Sequence, residues 1–185
     1  PSASCESTCW PPRTALIGCG RWGRNIARVL ARLGALEVIV DPAGDALAPY
    51  GEELGVRITA DLNAAFAEDI QAVAIAAPAV DHARLVLQAL RAGKPVFVEK
   101  PLALDLKDAE VAAGAAAEAG LTLMVGHLLQ YHPAFVTLKR LVAEGAIGDL
   151  RHITSHRLNP GAIPTEENAL WSMAPHDFSM VLGLA

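Results

Sequence analysis

The sequence predicts an α/β protein: a Rossmann-type, doubly wound parallel sheet of six strands, followed by the start of an α+β domain. Short apolar runs alternate with helical patterns from residue 14 to residue 126. The runs are apolar throughout, as expected for parallel strands that helices cover on both faces. A glycine-rich turn of the G-x-G-x-x-G type, Gly18–Gly23, follows the first run. In such sheets, ligands bind beyond the carboxyl ends of the strands.

The first predicted strand and helix flank the glycine turn and are typical of a dinucleotide site. Gly18 permits a tight turn, Gly20 lets a pyrophosphate approach the backbone, and Gly23 lets the helix pack closely on the strand. The N-terminus of the helix offers free N–H groups to phosphates. A glycine turn in an α/β domain that binds no nucleotide is the alternative. The predicted apolar face of this helix comprises Trp22, Ile26, Val29, Leu30 and Leu33.

A carboxylate at the end of the second predicted strand indicates which dinucleotide binds. Asp41 lies 18 residues after Gly23, near the position where an acidic residue binds the ribose hydroxyls of NAD. Because a carboxylate repels a 2′-phosphate, Asp41 favours NAD over NADP. Arg21 is a candidate neighbour of the pyrophosphate. The arginines at 21, 24, 28 and 32 are otherwise typical of a solvated helical face.

The later strands bring polar residues to the same edge of the sheet. Strands are expected over 56–58, 72–76, 96–98 and 121–125, and helices over 45–54, 61–66, 80–91 and 105–119. Because the carboxyl ends of parallel strands share one edge, the residues that follow them join the glycine turn. The predicted cofactor-binding residues are Gly18, Gly20, Arg21, Trp22, Gly23, Asp41, Ala77, Pro78, Glu99, Lys100 and His127.

The pattern changes after His127. A helix is expected over 131–144, and residues 150–158 alternate as a half-exposed strand does. One strand cannot bury its own face, so we expect an incomplete second domain. The predicted organisation is an unstructured lead-in over 1–13, a dinucleotide-binding domain over 14–127 and the second domain over 128–185.

Composition narrows the possible partners of this chain of 185 residues, whose net charge is −5. No basic tract suits a nucleic acid, no apolar run has the length of a membrane span, and no apolar signal core is present near residue 1. The three cysteines suggest no disulfide framework, which favours the cytoplasm. His152 and His156 share a face of the predicted strand without a third ligand, so no metal is expected.

Three motifs together resemble the Gfo/Idh/MocA oxidoreductases. They are the glycine turn, the triplet Glu99-Lys100-Pro101 after the fifth strand, and His176 within the segment W-S-x-A-P-H-D. Members of that family are nearly twice as long. Their second domain is a large open sheet that walls the substrate pocket and usually mediates oligomerisation. The resemblance therefore implies NAD as cofactor and, for the full-length protein, a homo-oligomer.

Two stretches, 126–133 and 167–177, carry a narrower resemblance. They are similar to the bacterial branch that oxidises the 3-hydroxyl of UDP-N-acetylglucosaminuronic acid in surface-polysaccharide synthesis. This resemblance implies a nucleotide-linked sugar as substrate. Many family members carry an aspartate four residues before the pocket histidine, where this sequence has Ser172. A dehydrogenase of another sugar or of inositol, or a dinucleotide-sensing regulator without activity, are the alternatives.

The resemblance assigns the chemistry to Lys100 and His176. Oxidation of an alcohol removes a hydride from carbon and a proton from oxygen, and the proton needs a positioned base. In the family, the lysine bonds the reacting hydroxyl and the histidine is the natural proton acceptor. Taken alone, a lysine in a loop is more often a surface residue, and a histidine such as His176 is more often a helix-capping or core residue; the surrounding motifs favour the functional interpretation. The predicted substrate-binding residues are Lys100, Arg157, Asn168, His176 and Asp177, of which Asp177 alternatively orients His176 or lies in a first helical turn.

Overall fold

A computed structural model describes residues 11–158 and 169–185. The chain divides into two compact units, one ending at Val125 and the other beginning at Gly126. Within the described residues, no helix combines the length and the apolar character that a membrane crossing requires.

The first unit is a six-stranded sheet in the order β3-β2-β1-β4-β5-β6, and every neighbouring pair of strands is parallel. This confirms the predicted doubly wound sheet. The chain order reverses between β1 and β4, which is where ligands bind in such sheets. The strands are β1 (Thr14–Ile17), β2 (Leu36–Val40), β3 (Arg57–Thr59), β4 (Ala72–Ile75), β5 (Val96–Val98) and β6 (Leu123–Val125).

Helices cover both faces of this sheet. Leu16 of β1 packs in one apolar layer with helices α1 and α2, while Ala15 and Ile17 pack in the other with α3 and α4. Burial on both faces explains why the strands are apolar at every position rather than at alternate ones. The helices are α1 (Gly23–Arg32), α2 (Ala48–Leu54), α3 (His82–Arg91) and α4 (Leu106–Ala119).

Short 3-10 turns replace parts of the predicted α-helices. Residues Gly44–Leu47 and Ala79–Asp81 form 3-10 turns ahead of α2 and α3, and Leu62–Phe66 is a 3-10 turn throughout. The side chain of Asp61 caps this last turn by accepting a hydrogen bond from the backbone N of Asn63, at 3.0 Å. The predicted positions of these elements are confirmed within a few residues.

The apolar face predicted for α1 is partly wrong. Trp22, Val29 and Leu33 are between 47% and 57% exposed. The helix instead turns its small residues to the sheet, because the backbone at Gly23 lies against the glycine turn. The residues that α1 buries or half-buries are Gly23, Ile26, Ala27, Leu30 and Ala31.

The second unit contains α5 (Pro133–Ala143) and α6 (Ala169–Leu182), preceded by a 3-10 turn at Leu128–Tyr131. The strand predicted over 150–158 is wrong, since these residues have no regular secondary structure. A strand needs a neighbour to bond its N–H and C=O groups, and the described residues of this unit supply none. His152 and His156 consequently share no strand face, and His152 Nε2 lies 2.9 Å from Thr154 Oγ1.

Candidate functional site

The three glycines of the turn after β1 have distinct surroundings. Gly18 has a φ of +91°, and a Cβ there would lie 2.6 Å from the backbone of Ala76 and Ala77. A Cβ on Gly23 would lie 2.2 Å from the carbonyl oxygen of Gly18, whereas one on Gly20 would meet no atom within 4 Å. The first and third glycines are therefore required by the packing of the protein. The second leaves open space beside the backbone, which suits the approach of a pyrophosphate.

The carboxylate of Asp41 is held beside this turn by two backbone N–H groups. Cys19 N donates to Oδ2 at 2.7 Å, and Ala43 N donates to Oδ1 at 2.9 Å. Each oxygen keeps acceptor capacity for the hydroxyls of a ribose. Burial raises the pKa of the Cys19 thiol, and the negative charge of Asp41 raises it further. The thiol is therefore neutral at physiological pH.

Three arginines line an open pocket next to the same turn. Arg21, Arg24 and Arg28 border it together with Cys19, Gly20 and Asn25. The guanidinium of Arg24 lies 5.1 Å from the centre of the Tyr50 ring, and Arg28 Nη1 donates to Asn25 Oδ1 at 3.0 Å. Positive side chains at the N-terminus of a helix fit a phosphate-bearing ligand.

A side-chain hydrogen bond joins the glycine turn to the turn after β5. Trp22 Nε1 donates to Glu99 Oε1 at 2.7 Å, across 77 residues of sequence. Lys100, the next residue, is half-buried, and the Lys100–Pro101 peptide bond is cis. Two predicted motifs of the first unit are thus adjacent in the folded protein.

In the second unit, two of the predicted substrate-binding residues, His176 and Asp177, lie on α6. The rings of His127 and His176 pack edge to face, with centroids 6.5 Å apart. Asp177 accepts hydrogen bonds from Arg157 Nε at 2.8 Å, from Arg157 Nη2 at 3.2 Å and from Ser155 Oγ at 2.8 Å. The hydrogen bond from Arg157 lowers the pKa of Asp177, as does that from Ser155, and the same contact raises the pKa of Arg157.

Comparison with known proteins decides the family. Residues 12–127 match the sequence model of Gfo/Idh/MocA proteins, described as an oxidoreductase family with an NAD-binding Rossmann fold. The chain belongs to the Gfo/Idh/MocA family. The cofactor of this family is NAD, as the glycine turn and Asp41 predict.

Several relatives share this assignment. The chain is 32% identical to an inositol 2-dehydrogenase of Rhizobium meliloti, over 91% of this chain and 53% of the relative. It is 32% identical to a UDP-N-acetylglucosamine 3-dehydrogenase of Acidithiobacillus ferrooxidans, over 80% of this chain and 46% of the relative. A probable dehydrogenase of Thermotoga maritima superposes with a TM-score of 0.81 at 28% identity, over 93% of this chain and 54% of that structure. The chain therefore spans about half the length of the relatives that it matches.

In this Gfo/Idh/MocA chain, the predicted site residues of the first unit all lie at the carboxyl edge of the sheet. Ala77 and Pro78 follow β4, with Ala77 against Gly18, and Glu99 and Lys100 follow β5. The second unit brings His127 to His176 and Arg157 to Asp177. Asn168 lies outside the described residues. Within the described ranges, no three His, Cys, Asp or Glu side chains form a group that could hold a metal.

The sequence did not predict a role for one further residue at the carboxyl edge of the sheet. His82, the first residue of α3, is 1% exposed, and both of its ring nitrogens lie within hydrogen-bonding distance of backbone carbonyls. The signal in the sequence is a histidine that follows Asp81 at the start of a predicted helix. That signal is also typical of a solvent-exposed helix start, so sequence reasoning alone could not select it.

Proposed function

We propose that this chain supplies the cofactor-binding domain and part of the substrate domain of an NAD-dependent sugar dehydrogenase. The proposed reaction oxidises a ring hydroxyl, at C3 of a UDP-linked N-acetylhexosaminuronate. The observation that carries the proposal is the 2.7 Å contact from Trp22 to Glu99. It joins the turn of Lys100 to the glycine turn, and this supports a cofactor and a candidate catalytic lysine at the same edge of the sheet.

The residues of this edge have separate tasks in the proposed reaction. The glycine turn holds the pyrophosphate, and Asp41 accepts hydrogen bonds from the adenosine ribose. NAD supplies the acceptor for the hydride that leaves the carbon. Lys100 donates a hydrogen bond to the reacting hydroxyl and stabilises the negative charge that develops on its oxygen.

The proton of the hydroxyl needs an acceptor, and His176 is our candidate in the second unit. A histidine exchanges protons near neutral pH, which suits a base in alcohol oxidation. Asp177, the next residue, is occupied by Arg157 and Ser155. We therefore propose that the ion pair of Asp177 and Arg157 fixes the position of the residues beside α6 that face the substrate. Arg157 keeps some donor capacity for a polar group of the substrate.

A UDP-linked amino sugar is the favoured substrate class. It is supported by the resemblance of 126–133 and 167–177, and by the relative named UDP-N-acetylglucosamine 3-dehydrogenase. Inositol is the second candidate, because the relative named inositol 2-dehydrogenase matches 91% of this chain. Both candidates present a secondary hydroxyl on a six-membered ring, so the chemistry proposed for Lys100 serves either.

Two measurements test the proposal. NADH fluorescence titration of this chain measures cofactor binding. Formation of NADH is then followed with UDP-N-acetylglucosaminuronic acid, UDP-N-acetylglucosamine and myo-inositol, in this chain and in a full-length homologue with the same motifs. Lys100→Ala is the matched control in each assay.

The outcomes separate the candidate functions. Turnover of the UDP-linked uronate that Lys100→Ala abolishes supports the proposal. Turnover of inositol alone would assign the second function. NADH binding without turnover of any substrate in the full-length homologue would instead indicate a dinucleotide-sensing regulator.

A further inference from the structure

We propose that His82 is a positioning residue that fixes Lys100 by holding the turn after β5 against the turn after β4. The catalytic task of Lys100 rests on the proposed function. The hold on the turn rests on contacts within the first unit alone. A ring that bridges two turns of a ligand-binding edge determines the distance between them, and thereby where the residues of both turns meet a ligand.

Both contacts of the His82 ring are short; the contact to Pro101 is buried and the contact to Ala77 is partly buried. Nδ1 lies 2.6 Å from the carbonyl oxygen of Pro101, and Nε2 lies 2.8 Å from that of Ala77. Carbonyl oxygens only accept hydrogen bonds, so the ring donates to both carbonyls at once only when both of its nitrogens carry a proton; with one proton it donates to one of them. Both carbonyls lie beyond the ends of their strands, where the sheet no longer supplies donors. An apolar residue of the same volume would fill the space but leave these carbonyls unbonded.

Lys100 lies between two anchored neighbours. The side chain of Glu99 is held by Trp22, and the carbonyl of Pro101 is held by His82. The two anchors differ in burial, because Trp22 is 47% exposed while His82 is 1% exposed. Loss of a buried hydrogen bond leaves an unsatisfied polar group and is the more damaging of the two.

These contacts close a ring around the carboxyl edge of the sheet. Gly18 lies against the backbone of Ala76 and Ala77. Ala77 is tied through His82 to Pro101, and Glu99 is tied back to the glycine turn through Trp22. We call the segments Gly18–Gly23, Ala76–Pro78 and Glu99–Pro101 the three-turn edge. Of the two side chains that connect these segments, Trp22 and His82, only His82 is buried. Its removal should therefore loosen the turn of Lys100 without unfolding the sheet.

The chemistry of amide side chains allows the two contacts to be separated. In His82→Asn, the amide nitrogen can lie near the position of Nδ1 and keep the contact to Pro101. In His82→Gln, it can lie near the position of Nε2 and keep the contact to Ala77. His82→Leu removes both. Val86→Ala is the matched control, because Val86 is fully buried one turn further along α3 and belongs to the apolar core rather than to the turns.

Hydrogen exchange of backbone amides and NADH titration are the two measurements. In His82→Gln, we expect exchange of the Glu99–Ala103 segment to be about tenfold faster, the effect of one buried hydrogen bond. NADH binding should persist, because the glycine turn and Asp41 hold the cofactor at its other end. In His82→Asn, the exchange rate of this segment and the affinity for NADH should stay within about threefold of the unmodified chain, because the contact to Pro101 is kept. Val86→Ala should lower the unfolding midpoint without accelerating exchange of this segment relative to the strands.

The comparison of the asparagine and glutamine variants decides the proposal even if His82→Leu fails to fold. Equal exchange at Glu99–Ala103 in these two variants would overturn it. The proposal would also be overturned if exchange of this segment in both variants accelerated only in proportion to their loss of global stability, as expected for Val86→Ala. If the exchange pattern is as expected but the unmodified chain does not bind NADH, the positioning role of His82 is supported and the proposed function fails.

Discussion

The two units of the chain hold their candidate site residues by different means. In the first unit, the three-turn edge consists of backbone that leaves the ends of buried parallel strands, and the sheet sets its geometry. In the second unit, candidate residues lie on α6 and on a segment without regular structure, and an ion pair between Arg157 and Asp177 connects the two. The comparison teaches that a site built on strand ends is encoded by a local pattern, while a site built on side-chain pairs is not.

The large apolar side chains named below are buried in the first unit and exposed in the second. In the first unit, Leu16, Ile39 and Ile75 are completely or almost completely buried. In the second, Phe178 and Leu182 of α6 are 57% and 79% exposed. Substitutions at the edge of the sheet should therefore disturb a rigid structure. Those in the second unit should alter chemistry or local order with little effect on global stability.

The largest effect is expected from the candidate catalytic residues, one in each unit. In a full-length homologue with the same motifs, Lys100→Ala and His176→Ala should each reduce turnover by about 10²–10⁴, as loss of a positioned acid–base group does. NADH binding should persist, because the glycine turn and Asp41 hold the other end of the cofactor. Steady-state kinetics beside NADH titration test this, and the double variant should lose less than the product of the two effects. Loss of NADH binding in Lys100→Ala would make Lys100 a cofactor anchor instead.

The glycine turn offers a matched pair of substitutions within the rigid unit. Gly23→Ala places a Cβ 2.2 Å from the carbonyl oxygen of Gly18 and should cost about 3 kcal/mol of stability or more, through overpacking of backbone. Gly20→Ala meets no atom within 4 Å and should leave stability unchanged. It should nevertheless weaken NADH binding, because the methyl group occupies the approach to the pyrophosphate. Thermal unfolding and NADH titration of both variants check this; equal stability losses would contradict the packing argument.

A smaller effect is expected at Asp41, where the proposed contact to the cofactor is made by a side chain rather than by the backbone. Asp41→Ala should weaken NADH binding by about tenfold, since the ribose loses a charged acceptor. NADPH binding should weaken less, because the repulsion of the 2′-phosphate disappears as well. Paired fluorescence titrations with NADH and NADPH measure the ratio of the two affinities. Equal affinity for both cofactors in the unmodified chain would refute the preference for NAD.

The smallest effect is expected from acid in the second unit. The pKa of Asp177 is lowered in the folded protein, chiefly by the hydrogen bond from Arg157. The stabilisation from this carboxylate is therefore complete above its unfolded pKa of about 4, and it is lost as pH falls through the lower folded pKa. Because both side chains are partly exposed, the contribution should be on the order of 1 kcal/mol or less. Protection of the amides in residues 150–158, after correction for their intrinsic exchange rate at each pH, should fall below about pH 4. In Asp177→Asn, this loss of protection on acidification should be absent.

The sequence by itself determined the sheet and the cofactor. Apolar runs such as 15–17 and 36–40 predict buried parallel strands, because both faces of each strand are covered. Topology then brings every strand end to one edge, and the packing roles of Gly18 and Gly23 could be inferred without a structure, while the role of Asp41 stays a prediction. These inferences succeed because they depend on local patterns and on a general rule about parallel sheets.

Only the tertiary structure decided which side chains meet across long stretches of sequence. It paired Trp22 with Glu99, placed His82 between Ala77 and Pro101, and gave Asp177 to Arg157. It also showed that the alternation over 150–158 forms no strand, and that α1 packs on its small residues. The physical reason is the same in each case. A strand needs a neighbour, a helix rotates until its closest contact fits, and a hydrogen bond needs a partner from elsewhere in the chain, none of which a local pattern contains.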